Sequence, residues 1–131
     1  MDSDNSQRAK RIIVLNDSMD LLNLMQDLLE EEGYEVLLQH SSSGAHAFIT
    51  SNKPDLIILD FVLQEPDDGW VVLQMLKLDP ATVTIPVIVS SADSRLFREK
   101  QERLRELNCL TIEKPFDLDE MLAKVSEALE L

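Results

Sequence analysis

Pro54-Asp55-Leu56-Ile57-Ile58-Leu59-Asp60 decides the fold. Four apolar residues in succession, with neither helical nor alternating spacing, read as a strand buried on both faces. The run ends abruptly in an acid. A buried strand therefore carries Asp60 to the edge of a sheet, where strand gives way to loop. Alone, a strand-ending Asp ordinarily forms a turn or caps the next helix. The case for more rests on what stands at the ends of the other strands.

Working outward, Ile12-Ile13-Val14-Leu15 is a second all-apolar run, stopping at Asn16-Asp17-Ser18. Ile85-Pro86-Val87-Ile88-Val89 is a third, ending at Ser90-Ser91-Ala92. Glu35-Val36-Leu37-Leu38-Gln39 is more polar, as expected of an edge strand, and Leu110-Thr111-Ile112 is a short last strand before Glu113-Lys114-Pro115-Phe116.

Helices are expected between them. Leu21, Leu22, Met25, Leu28 and Leu29 line one face of a helix over 18–32, with Gly33 at its end. Ser43-Gly44 opens a short helix carrying Ala45, Ala47 and Phe48. Asp68-Gly69 starts one carrying Trp70, Val72, Leu73 and Leu76, which stops before Asp79-Pro80. The segment 93–107 is helical but thinly apolar. Asp117 and Glu120 fit a capping box for a final helix over 117–129.

Five strands alternating with five helices imply a three-layer α/β/α domain, a parallel sheet with right-handed crossovers and helices on both faces. Its strand ends gather on one edge, where ligands bind in such folds. That edge collects Asn16, Asp17, Asp60, Ser91 and Lys114. With strand order 2-1-3-4-5, the two acidic ends are neighbours at the switch point.

Composition bounds the rest. The 131 residues suffice for one core. Residues 1–10 are polar and aperiodic and read as a flexible tail, leaving 11–131 as the domain. No apolar run could span a bilayer, and no apolar signal segment opens the chain. The lone Cys109 excludes an internal disulfide and fits a reducing cytoplasm; it reads as a small core residue. A net charge of −13 argues against non-specific nucleic-acid binding and for a cation or a basic protein patch as partner.

Adjacent carboxylates repel and call for a cation. The oxygens of Asp17 and Asp60 suit Mg²⁺ with several retained waters, or the similar Mn²⁺. A free Asp60 oxygen could attack phosphorus, since carboxylates form acyl phosphates. The Lys114 ammonium and the Ser91 hydroxyl would then neutralise and position phosphoryl oxygens. Lys114 could instead be a surface residue before a turn. A cis bond to Pro115 would aim it inward. Ser91 alone would more often cap a helix. His40 and His46 lie outside the cluster and receive no role.

With IIVLND at 12–17, PDLIILD at 54–60, DG at 68–69, PVIVSSA at 86–92 and KPF at 114–116, the chain resembles the receiver domain of two-component response regulators from Arg11 to Leu129. The resemblance implies a flavodoxin-like (βα)5 fold and makes Asp60 the phosphoacceptor. It makes Asp17 a direct Mg²⁺ ligand, gives the metal the backbone carbonyl of Val62, and places Asn16 on it through water. Ser91 takes the place of the hydroxyl residue that reports phosphorylation, and Lys114 that of the lysine pairing with the phosphoryl group. The donor would be a histidine kinase or a histidine phosphotransfer protein, and the only catalysis would be on the domain itself.

Three positions depart from the family pattern. Asn16 replaces the first of two acids, the 60–69 loop is one residue longer, and Thr111 stands where a switching aromatic is usual. The first two bear on metal affinity and dephosphorylation, the third on output. Other readings are a pseudo-receiver that binds proteins without phosphorylation, and an enzyme of similar fold. A haloacid-dehalogenase-type phosphatase would need an acid at Val62. A flavodoxin would need a loop rich in Ser, Thr and Gly where Asn16-Asp17-Ser18-Met19-Asp20 stands.

Segment 93–107 also holds Arg95, Arg98, Lys100, Arg103 and Arg105, five of the 12 basic residues. Either these form a solvated face laced with pairs to Glu99, Glu102 and Glu106, or they form a partner surface. Output is expected there.

Overall fold

The computed structural model describes residues 8–65 and 67–130. Most of the expected tail, residues 1–7, lies outside them, as do Pro66 and Leu131. In chain order the elements are β1 (Arg11–Leu15), α1 (Met19–Glu31), β2 (Glu35–Gln39), α2 (Ala45–Asn52), β3 (Leu56–Asp60), α3 (Asp68–Leu78), β4 (Val87–Ser91), α4 (Ser94–Glu106), β5 (Cys109–Glu113) and α5 (Leu118–Leu129). The strands form one parallel sheet in the order β2-β1-β3-β4-β5.

Every residue of β3 is buried because the sheet is covered on both sides. Successive side chains of a strand point to opposite faces. Ile57 and Leu59 join the core under α2, α3 and α4. Leu56 and Ile58 join the core under α1 and α5. The unbroken apolar run in the sequence is the signature of this double burial.

Local signals set the helix ends. Ser18 caps α1, its Oγ accepting from Leu21 N at 3.2 Å. Asp93 caps α4 through Leu96 N at 3.1 Å, and Asp117 caps α5 through Glu120 N at 2.7 Å.

One boundary moves. The apolar run predicts a strand over 85–89, yet β4 spans Val87–Ser91. Ile85 N donates to Thr82 O at 3.1 Å, so Ile85 belongs to the preceding turn. At the other end the ladder continues past the apolar residues, pairing Ser90 with Asp60 and Ser91 with Glu113. Backbone pairing, not side-chain polarity, ends the strand, and Ser91 is thereby 1% exposed.

Candidate functional site

The C-terminal ends of β1, β3, β4 and β5 converge on a cleft of about 630 Å³ lined by Asp17, Asp60, Val62, Ser91, Asp93, Arg95 and Lys114. Asp60 sits at its base, 5% exposed. A buried carboxylate requires donors, and Asp60 has three. Val62 N donates to Oδ1 at 3.0 Å. Asn16 Nδ2 donates to Oδ2 at 3.0 Å. The Lys114 ammonium, 27% exposed, forms a short ion pair with the same oxygen. The Lys114–Pro115 bond is cis, and Lys114 N donates to Ser91 O at 2.9 Å.

The side chain that meets Asp60 from the first strand is Asn16 rather than Asp17. Asn16 is 4% exposed, and its Oδ1 accepts from Ser18 N at 2.9 Å, which turns its amide nitrogen toward the acid. Asp17 lines the same cleft but is exposed. Sequence spacing does not distinguish the two, because which of two consecutive residues turns inward is settled by the Asn16–Ser18 turn. The Ser91 hydroxyl accepts from Asp93 N at 3.0 Å. It lines the cleft without bonding Asp60, and through Asp93 it adjoins the capped start of α4.

The donor set suits a hard divalent cation. Among the described residues Asp60 Oδ1 accepts one hydrogen bond, leaving acceptor capacity, and the Asp17 carboxylate opens onto the same cleft. Among the described residues no cluster of three or more acids, His or Cys could hold a metal. Two carboxylates lining one cleft, Asp17 and Asp60, fit an ion that takes one or two carboxylates and keeps its waters, as Mg²⁺ does.

Other residues support the site from around the acceptor loop. Phe61 is 1% exposed and touches Trp70 of α3 and Phe97 of α4, each with ring centroids 5.8 Å away. Gly69 packs its backbone on the acceptor loop, its N donating to Phe61 O at 3.0 Å. The lengthened loop is tied down by Gln64, whose Nε2 donates to His40 O at 2.9 Å. Asp68 Oδ2 also accepts from Glu65 N at 3.1 Å.

Both His residues lie away from the cluster as expected. His46 Nε2 contacts Asp79 Oδ2 at 2.7 Å. The Ala81 N–H, and secondarily His46, hold the Asp79 carboxyl below its usual range. Burial pushes the Cys109 thiol up to about 11 and keeps it protonated, consistent with a core-packing residue.

The chain is similar to several known proteins. The family model of the response regulator receiver domain matches residues 12–126. The phosphate regulon transcriptional regulatory protein PhoB of Pseudomonas aeruginosa is 32% identical over 92% of this chain, which spans 52% of that regulator's length. The polar-differentiation response regulator DivK of Brucella ovis is 30% identical over 92% of this chain and 97% of its own. The solved chemotaxis protein CheY4 of Vibrio cholerae covers 92% of this chain and 99% of its own with a TM-score of 0.80; at 18% identity it is alike in fold.

Proposed function

The chain belongs to the response regulator receiver family of two-component phosphorelay signalling, and from that premise we propose that Asp60 is its phosphoacceptor. The observation that carries the reading is a buried carboxylate at a strand end, held by an ammonium, an amide and a backbone N–H. An Asp60 oxygen attacks the phosphorus of a phosphohistidine on a kinase or phosphotransfer protein. The new O–P bond forms as the P–N bond breaks, and the imidazole departs with the electron pair. The Lys114 ammonium passes from the carboxylate to a phosphoryl oxygen, and the Ser91 hydroxyl turns from Asp93 N to another. Asp17, Asp60 and the Val62 carbonyl, with Asn16 through water, would hold Mg²⁺ or Mn²⁺, which when bound neutralises phosphoryl charge. The domain is not an enzyme toward other substrates; it catalyses its own phosphorylation and dephosphorylation. Incubation with acetyl phosphate, read by intact mass with and without Mg²⁺, tests the proposal. A protein that gains no Mg²⁺-dependent adduct would instead be a phosphorylation-independent binding module.

Among the described residues no helix is long and apolar enough to cross a membrane. With the lone cysteine and the phosphorelay chemistry, this supports a cytoplasmic site of action.

Output runs through α4. Ser91 bonds Asp93, Asp93 caps α4, and Phe61 bridges the acceptor loop to Phe97. Thr111 offers no ring to relay the change. On adding beryllofluoride, which mimics the acyl phosphate, amide exchange is expected to change in residues 91–107 and β5. Changes confined to α1 and α5 would refute this route.

Asn16 sets a trade between stability and metal. Asn16→Asp removes the hydrogen bond donated to Asp60 and faces two carboxylates. Without divalent ions it should cost about 2 kcal/mol, the scale of a hydrogen bond to a charged group. The added charge should tighten Mg²⁺ binding roughly tenfold. Thermal melts across an Mg²⁺ titration measure both. Matching curves for the two proteins would mean that residue 16 senses neither Asp60 nor the ion.

A further inference from the structure

We propose that the cavity between the end of α3, the turn before β4 and the start of β5 binds a small organic carboxylate, with its apolar body against the walls and its head between Lys77 and Arg105. The site lies at the edge of the sheet opposite Asp60. Its occupancy does not depend on whether Asp60 accepts a phosphoryl group.

The cavity measures about 650 Å³, the size of sites that hold drug-sized molecules. Val83, Pro86, Cys109 and Leu110 supply apolar wall. Val83 is apolar yet stands exposed. The Cys109 thiol stays protonated and adds no charge. Local bonds set these walls. Thr82 Oγ1 donates to Leu76 O at 2.7 Å, and Ala81 N to Asp79 Oδ1 at 2.9 Å, which fixes the turn before β4. Asn108, at φ +59, turns the chain from α4 into β5, its N donating to Arg105 O at 3.0 Å. A preformed site loses little entropy on binding.

Two cations line this largely apolar space. The Lys77 ammonium is partly buried and donates to Val83 O and Ile85 O, each at 3.2 Å. An ammonium has three donors, so one is left over. Among the described residues no acid pairs with Lys77 or Arg105, although the chain holds 25 acids. Even on α4, whose acids stand at helical spacing from its arginines, the ion pair formed is Arg103 with Glu106 at 3.3 Å. Burial without a counter-ion holds the Lys77 ammonium below its usual range. An anion beside it removes that cost. A carboxylate suits the single remaining N–H of Lys77 and the fork of the Arg105 guanidinium. A phosphate monoester would bring two charges and more lone pairs than these donors satisfy, against apolar walls. The net charge of −13 repels anions at long range, so burial of an apolar body must supply much of the affinity.

The test uses the whole chain, unphosphorylated, and sodium decanoate as the probe, followed by calorimetry. Saturable binding of one decanoate per chain is expected. Hexanoate, which buries fewer methylenes, should bind at least about tenfold more weakly. Arg105→Gln should weaken decanoate binding about threefold, the scale of an exposed ion pair. Lys77→Met keeps the apolar stem, removes the ammonium and should weaken it at least about tenfold. Val83→Asp places a carboxylate on the cavity wall and should abolish binding. Lys53→Gln, beyond the end of α2, should change it less than about twofold. Circular dichroism establishes which variants are folded, and the exposed positions of Arg105 and Val83 keep two of them informative should Lys77→Met unfold. Absence of saturable decanoate binding overturns the proposal, and so does unchanged affinity in folded Arg105→Gln and Val83→Asp. Decyltrimethylammonium binding as tightly as decanoate overturns it by showing that the walls alone hold the alkyl chain. Tighter binding of a peptide with a free C-terminal carboxylate overturns it by reassigning the cavity to a protein terminus.

Discussion

Asp60→Asn should abolish the Mg²⁺-dependent phosphoryl adduct outright while leaving the fold intact. The substitution keeps the shape of a side chain 5% exposed and removes the carboxylate at the base of the cleft. An amide oxygen is too weak a nucleophile to replace a carboxylate. Lys114 loses its ion partner but is 27% exposed, so water can take up its ammonium and the cost to stability should be small. The wild-type adduct should also be lost on treatment with hydroxylamine, which cleaves acyl phosphates and spares phosphoserine. Intact mass after acetyl phosphate treatment checks both. An undiminished adduct in Asp60→Asn, or a hydroxylamine-stable one, would move the acceptor elsewhere, with Ser91 the first alternative to examine.

Of the three possible Gly→Ala substitutions, Gly69→Ala should be the most damaging. A Cβ at residue 69 would lie 2.5 Å from Phe61 Cα and would also overlap the Asp60 and Phe61 carbonyls. Those are backbone atoms of the acceptor loop and cannot rotate away. Forced overlap in a packed interior costs about 1–3 kcal/mol, and here the upper end applies. For a chain of this size that lowers the melting temperature by about 10 °C. The relief must come from moving α3 or the loop after Asp60. Phosphorylation measured well below the melt should therefore slow by at least about tenfold, as expected when a reacting group is displaced by a fraction of an ångström. Gly44→Ala is the control for backbone conformation. Residue 44 has φ +74 with open space around a Cβ, so its strain should cost only about 1 kcal/mol. Equal melts for the two variants would show that the α3 start can shift freely, and that Gly69 does not fix the site.

The alternation of strands and helices, the layers and the gathering of residues 16–17, Asp60, Ser91 and Lys114 at one edge were legible in the chain alone. The reason is physical: double burial requires unbroken apolar strands, and parallel strands must deliver their polar ends to one edge. The Asp117 cap was legible for the same kind of local reason, since its carboxylate acts on a backbone N–H three residues away. Side-chain polarity misplaced β4 by two residues because a ladder closes through backbone groups that do not depend on it. What only the tertiary structure decided involves contacts between distant segments. Asn16 rather than Asp17 touches Asp60 across 44 positions of sequence. Gly69 is required for space rather than for its φ. Phe61 joins α3 to α4. The arginines of α4 had acids at pairing distance along the helix, and only the folded arrangement of side chains left Arg98 and Arg105 facing a groove.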